Sequence, residues 1–160
     1  MSFRFRTICS SSGGNCLLLK ANDVNLLFDC GLSSMKRTRQ MLLKHFTPEE
    51  KLDAVLLSHV HTDHISYYPL RVLEELDCEV IMHQDCIDQL HQKHFNGYGF
   101  KNLNLKSFDN NDFCIKSVNI KPIPLSHQPC ANTVLGMGSP IALSMVGQYT
   151  VCVVRISLPI

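Results

Sequence analysis

One short segment constrains this chain more than any other, because it holds three histidines and an aspartate within six residues: His59-Val60-His61-Thr62-Asp63-His64. It follows the apolar run Ala54-Val55-Leu56-Leu57, which is typical of a strand buried on both faces. Residues two apart in an extended loop point the same way, so His59 and His61 can bind one metal ion together. Asp63 and His64 begin the next helix and could face a second ion. Imidazole and carboxylate ligands suit zinc, and also iron or manganese.

Length and composition fit one globular domain: the chain has 160 residues, of which 45% are hydrophobic and 18% charged. Its formal net charge of +1 creates no long-range field that would attract nucleic acid, so any binding of phosphates has to be local. The eight cysteines form no C-x-x-C pair and the N-terminus lacks the apolar core of a signal peptide, which predicts a cytoplasmic protein with free thiols. Gln148, Arg155 and Pro159 interrupt the apolar residues 141–160, so we expect two strands there and no membrane helix.

The order of the predicted elements indicates an α/β fold. Three strands are expected within residues 3–29, followed by a helix that Ser33 or Ser34 can cap and that ends near Phe46. After the buried strand and the histidine segment, the patterns predict a helix over 67–76, a strand over 79–83, a helix over 84–95, and strands over 103–108 and 113–125. Strands, then strand–helix alternation, then strands fit a mixed sheet with helices packed on it.

The H-x-H-x-D-H pattern and its surroundings resemble the metallo-β-lactamase superfamily. The segment Val55-Leu56-Leu57-Ser58-His59 is similar to the strand that leads into this motif in the superfamily. The superfamily's opening hairpin is similar to Ser11-Ser12-Gly13-Gly14-Asn15-Cys16 together with Leu27-Phe28-Asp29-Cys30-Gly31. The likeness covers about residues 3–133 and is greatest to the YycJ/WalJ-like branch of DNA-processing hydrolases. It implies an αββα sandwich, here truncated to the first half plus part of the second sheet. Residues 1–135 would form the metallo-β-lactamase-like domain and residues 136–160 a divergent, β-rich tail of the same domain.

The resemblance also assigns metal ligands and one buried aspartate. The implied ligands are His59, His61 and His127 for a first ion, and Asp63 and His64 for a second. Asp63 could in addition take the proton of the attacking water, which makes it the catalytic candidate. Asp29 resembles the buried aspartate that orients the histidine segment without touching the metal. Judged without the resemblance, His127 could be an ordinary loop histidine and Asp29 a turn residue before Gly31.

Such a site implies a metal-dependent hydrolase of the phosphodiesterase type, which attacks phosphorus with metal-bound hydroxide and acts on DNA like an exonuclease. The expected cofactor is one or two divalent ions, with zinc first and manganese or iron as alternatives. The alternative enzyme keeps the same nucleophile but hydrolyses a carbonyl compound, a thioester or a lactam. DNA or another phosphodiester is therefore the expected partner.

The second metal site lacks part of the family's pattern. Family members carry a bridging aspartate and a last histidine, but no acidic residue follows Asp112 and no histidine follows His127. We therefore expect a weak second site, and a non-catalytic metal-binding or interaction remnant is the alternative of a different class. Apolar sheet left uncovered by a short chain would favour self-association or a completing partner.

The remaining histidines, and the two tyrosines that follow the motif, are not expected to bind metal. The other histidines are expected at surface positions on helices or strand ends: His45, His83, His91 and His94. Tyr67 and Tyr68 directly follow the motif, and they could line a substrate groove or pack against the sheet.

Overall fold

The computed structural model describes residues 3–21, 23–95, 99–125, 142–143 and 151–157, which form two β-sheets and three α-helices. The first sheet contains β1 (Phe3–Ser11), β2 (Gly14–Ala21), β3 (Val24–Phe28), β4 (Ala54–Leu57), β5 (Glu79–His83) and β6 (Leu105–Phe108). The second contains β7 (Phe113–Ile115), β8 (Val118–Leu125), β9 (Ala142–Leu143) and β10 (Val151–Ser157). The helices are α1 (Met35–His45), α2 (Tyr67–Glu75) and α3 (Ile87–His94). No helix in these ranges is long and apolar enough to cross a membrane.

The first sheet has the strand order β1-β2-β3-β4-β5-β6. β1, β2 and β3 are antiparallel neighbours, whereas β3 to β6 run parallel. Each parallel connection passes through a helix, as parallel pairing requires a long crossover: α1 links β3 to β4, α2 links β4 to β5, and α3 links β5 to β6. The carboxyl ends of these strands share one edge of the sheet, so the segments after β3, β4 and β5 lie side by side there.

Alternating side chains of the first sheet build two cores, one on each face. In β4, Val55 and Leu57 pack in the core that the helices cover, while Ala54 and Leu56 pack in the core between the sheets. The helices add Met41, Leu70, Leu73 and Leu90 to the first core, and β7 and β8 add Ile115, Val118 and Ile120 to the second. The described residues therefore form a helix layer and two facing sheets. This α/β arrangement is the one expected for the first half of an αββα sandwich with part of its second sheet.

Most of the predicted helices and strands are present, and the prediction of one strand is wrong. Ser34 caps α1 as expected, because its Oγ accepts a hydrogen bond from Arg37 N over 3.2 Å. The single strand predicted over 113–125 is instead the antiparallel pair β7 and β8. The chain reverses between them at Lys116, whose φ of 49° lies in the left-handed region although no glycine or asparagine stands there.

Candidate metal centre

The loop after β4, residues 58–66 and here called the histidine loop, carries the motif side chains to the carboxyl edge of the first sheet. It turns tightly, because the backbone nitrogens of His64 and Ile65 both donate to His61 O over 2.9 Å. Val60 and Ile65 are buried and anchor the loop, while Thr62 is exposed. The loop is therefore held in place by buried apolar residues that stand between its polar residues.

The β1–β2 hairpin and the end of β3 clamp the histidine loop through the backbone. Asn15 N donates to Asp63 O over 2.6 Å, and Cys30 N donates to His64 O over 2.7 Å. This approach leaves no space for a side chain at Gly31, where a Cβ would lie 1.7 Å from Asp63 O. The glycine after Asp29-Cys30 is therefore required by the contact between two backbones.

Asp29 lies beneath the histidine loop, is only 3% exposed, and adopts a φ of 57°. Its Oδ1 accepts from Ser58 N at 2.8 Å and from Ser58 Oγ at 2.9 Å, and its Oδ2 lies 2.7 Å from His64 Nδ1. Burial raises the pKa of the Asp29 carboxyl, against the bonds and charge of His64 and the bonds from Ser58. Burial would lower the pKa of His64, but the hydrogen bond and charge of Asp29, together with the charge of Asp63, outweigh it and raise that pKa. These are the contacts that the predicted orienting role of Asp29 requires.

Ser58 determines which nitrogen of two histidines carries the proton. Its Oγ lies 2.9 Å from both carboxylate oxygens of Asp29, 2.9 Å from His59 Nδ1 and 3.1 Å from His64 Nδ1. An ionised carboxylate only accepts, so the Ser58 hydroxyl donates to Asp29 and accepts from the imidazoles. In the neutral rings this assigns the proton to Nδ1 of both histidines. Their Nε2 atoms then carry lone pairs, which is the form of imidazole that binds metals.

The side chains of the histidine loop form one cluster. The ring centroid of His59 is 4.5 Å from that of His61 and 4.0 Å from that of His64. Asp63 Oδ2 is 3.3 Å from His64 Nε2, and Asn15 Nδ2 donates to the same oxygen over 3.1 Å. Within the described part of the chain, no three His, Cys, Asp or Glu side chains are placed to hold a metal ion as they stand. The chemistry of the donors nevertheless fits a divalent ion, because imidazole nitrogens lie beside a carboxylate.

The sequence therefore located most of this cluster, although ligation itself stays a prediction. The predicted ligands found together are His59, His61, Asp63 and His64, and Asp29 lies below them. The remaining predicted ligand, His127, lies outside the described residues. Sequence reasoning missed Asn15, whose amide contacts both Asp63 and His64. The signal that could have found it is its place in the glycine-rich turn of the opening hairpin.

The sequence model of the beta-lactamase superfamily domain matches residues 24–138, which is more than half of the chain and includes the histidine loop. The chain belongs to this superfamily. Among its relatives, exodeoxyribonuclease WalJ of Streptococcus pneumoniae is 38% identical over 65 residues, which make up 41% of this chain and 24% of the relative. That match is partial, so membership of the WalJ-like branch stays a prediction.

Two solved structures share the fold of this chain. The metallo-β-lactamase fold protein YhfI from Bacillus subtilis superposes with a TM-score of 0.54 and 23% identity, covering 93% of this chain and 52% of that chain. A diphosphatase from the PhnP family gives a TM-score of 0.55 and 13% identity, covering 90% of this chain and 49% of that chain. This superfamily chain thus spans about half the length of these two structures.

Two histidines expected at the surface of this superfamily domain are buried, which corrects that expectation. His83 is 4% exposed and His94 is 8% exposed. His94 Nε2 donates to Val60 O over 2.9 Å, so α3 supports the histidine loop. His83 ends β5, and its ring makes a T-shaped contact with the ring of Phe108 at a centroid distance of 5.6 Å. Polarity alone places a histidine outside, but the inner face of a sheet and the contact side of a helix bury these two.

A groove of about 410 Å³ opens beside the histidine loop of the superfamily domain. Its walls include Ser12, Ser33 and Ser66 together with Tyr67 and Tyr68, so both tyrosines line a groove, as one interpretation of the sequence expected. A larger cleft of about 800 Å³ lies beside β6 and β7, and it includes none of the predicted ligands. The smaller groove is therefore the one that borders Asp63.

Proposed function

We propose that this chain is a metal-dependent phosphodiester hydrolase of the DNA exonuclease type, located in the cytoplasm and using one or two divalent ions, zinc by preference. One observation carries the proposal: the bonds among Asp29, Ser58, His59 and His64 assign the proton of each neutral ring to Nδ1, which makes Nε2 the metal-binding atom of two buried histidines close to Asp63. A loop that holds buried imidazoles in this state offers lone pairs to a cation, which is the task of a metal site.

The chain's own residues divide the work between binding and orientation. In this proposal His59, His61 and His127 hold a first ion, and Asp63 and His64 hold a second. A divalent ion held there makes water a stronger acid and offsets the negative charge of a phosphate. Asp29 fixes the ring of His64 through Nδ1, and Ser58 fixes the ring of His59 in the same way.

Asp63 has a second proposed role, as the acceptor of the proton of the attacking water. Its side chain is 30% exposed and lines the groove beside the loop, so a water in that groove can reach it. The Asn15 amide donates to Oδ2 and holds the carboxylate in place. A positioned carboxylate of this kind contributes about 100- to 10,000-fold as a general base.

A phosphodiester is preferred to a carbonyl substrate for two reasons. The names of two relatives, an exodeoxyribonuclease and a diphosphatase, both describe action on phosphate esters or anhydrides. The groove also presents Tyr68, which is 51% exposed and can stack on a nucleobase. Since the net charge is only +1, we expect contacts at the groove, rather than a long-range field, to bring DNA to the site.

The test combines metal content with cleavage of end-labelled DNA by the purified full chain. We expect elemental mass spectrometry to find bound zinc or manganese, and we expect the metal-loaded protein to release mononucleotides. His61→Ala should lose metal and lower cleavage by more than about 100-fold, since even a partner outside the ligand shell is worth about 10- to 100-fold. The matched control is His91→Ala, because His91 is exposed on α3 and its ring packs on Phe95.

Other outcomes would contradict part or all of the proposed function. Hydrolysis of a chromogenic lactam or thioester, but not of DNA, would replace the phosphodiester by a carbonyl substrate. Folded protein that binds no metal would leave a non-catalytic remnant. Cleavage of DNA that survives in His61→Ala would refute a metal mechanism through this loop.

A further inference from the structure

His83 is a buried histidine that takes no part in the proposed metal binding or proton transfer. It is the last residue of β5 and is 4% exposed. Its Nε2 has no hydrogen-bond partner among the described residues, and no other buried side-chain nitrogen or oxygen of those residues shares that state. A buried polar atom without a partner is rare in folded proteins and asks for an explanation.

The backbone next to His83 defines what its Nε2 can do. Asp85 N lies 3.3 Å from His83 Nδ1 and donates to it, so Nδ1 of the neutral ring carries the lone pair. The proton of the neutral ring is then on Nε2. A protonated ring would carry a proton on Nε2 as well. In both states Nε2 is a hydrogen-bond donor in search of an acceptor.

The strand register puts His83 beside the histidine loop. β4 and β5 are parallel neighbours, and their last recorded pair is Leu57 with Met82, so Ser58 and His83 follow at adjacent positions. Neighbouring strands lie about 4.8 Å apart, and side chains in the same register share a face. The contact of His83 with the ring of Phe108 shows that this is the face between the sheets.

An oxygen of the substrate is the acceptor that this position calls for. Ser58 binds His59 and His64, so its neighbour on β5 borders the same site at the carboxyl edge of the sheet. We propose that His83 Nε2 donates a hydrogen bond to a phosphate oxygen of the phosphodiester substrate, and this inference rests on the proposed function. A neutral donor suits an anionic oxygen, since hydrogen bonds to charged groups are the stronger ones.

The experiment compares His83→Gln with His83→Met in the metal-loaded full chain. Glutamine keeps an N–H donor at the position of Nε2, whereas methionine has similar length and no donor. We expect His83→Met to lower kcat/KM on labelled DNA by about 10- to 100-fold, the value of a bond to a charged oxygen. His83→Gln should recover much of that loss, and metal content and Tm should stay close to wild type in both. Should His83→Met not fold, His83→Phe keeps a ring against Phe108 and gives the same comparison.

The outcomes separate this inference from the proposed function. A wild type that cleaves DNA together with an equally active His83→Met refutes the role of His83 alone. A fall in Tm for both variants, with equal loss of activity, would mean that the ring of His83 has a structural role in which its N–H takes no part. A fall in Tm for His83→Met alone would mean that Nε2 has an acceptor within the protein. A wild type that binds metal and cleaves no phosphodiester overturns the proposed function, and the inference with it.

Discussion

The ends of β4 and β5 lie side by side at one edge of the first sheet, yet they differ in the hydrogen bonding of their polar side chains. At the end of β4, Ser58 is bonded to Asp29, His59 and His64 within the protein. At the end of β5, His83 Nε2 is buried without a partner in the described residues. The first arrangement fixes the side chains of the histidine loop through hydrogen bonds, whereas the second leaves one donor unused. We interpret the difference as a division between orienting a cofactor and receiving a substrate.

The largest expected effect concerns the clamp that holds the β4 end. Gly31→Ala would place a Cβ 1.7 Å from Asp63 O, and the obstacle is backbone that belongs to the histidine loop. We expect the free energy of unfolding to fall by about 3 kcal/mol, the upper end of the usual cost of overpacking, measured by urea denaturation. Gly13→Ala is the matched control, since its Cβ would meet only Ser11 Oγ, at 3.7 Å. Equal stability of the two variants would show that the clamp is looser than the structure indicates.

The next effect tests whether the β4 end is organised for a metal. In Asp29→Asn an amide nitrogen replaces one carboxylate oxygen and, placed toward His64 Nδ1, would shift the ring proton of His64 to Nε2. Zinc affinity, measured by competition with a chromophoric chelator, should then fall by about 10- to 100-fold. Asp112→Asn, at an exposed position, should leave it unchanged. Unaltered affinity in Asp29→Asn would remove the orienting role of this carboxylate.

A smaller effect sets the two strand ends directly against each other. Ser58→Ala removes a hydroxyl that bonds Asp29 and His59, so metal-free protein should lose about 1–2 kcal/mol of unfolding free energy. His83→Met removes only the long bond that Asp85 N donates to Nδ1 over 3.3 Å, and no bond of Nε2, so its unfolding free energy should change less. Urea denaturation in the presence of a chelator measures both. The reverse order would mean that His83, rather than Ser58, is the partnered residue.

The β4 end was readable from the sequence because its signal is local. An apolar run followed by closely spaced histidines predicts a strand end with ligands, and the serine before Met35 predicts the cap of α1. The bond from Ser58 to Asp29 joins residues 29 positions apart, and it exists because β3 pairs with β4 in parallel. A resemblance could suggest that contact, whereas hydrophobic patterns could not.

The β5 end could not be read in the same way. His83 looks like any lone histidine, and its burial depends on Phe108 from β6, a strand that pairs with β5 only in the folded sheet. The reversal at Lys116 was missed for a related reason: packing of β7 on β8 imposes a left-handed conformation that the local residues do not favour. Long-range pairing, rather than local preference, decides both features.

The smallest effect is a dependence of stability on pH that comes from His94, the other buried histidine. Burial lowers the pKa of His94, the bond to Val60 opposes that shift, and the charge of Lys93 adds to it. The folded chain therefore binds this proton less readily than the unfolded chain, whose histidine titrates near pH 6.5. The stabilising contribution is complete above about pH 6.5 and is lost as the pH falls below it, by at most about 1.4 kcal/mol per pH unit.

His94→Gln isolates that contribution, because a glutamine amide can still donate to Val60 O but does not titrate. Below pH 6.5 the unfolding free energy of the metal-free wild type should decrease more steeply than that of the variant, while above about pH 7.5 the two slopes should coincide. Equal slopes over the whole range would mean that His94 is better solvated than its burial implies. His94 would then differ from His83 in its solvation as well as in its hydrogen bond to Val60 O.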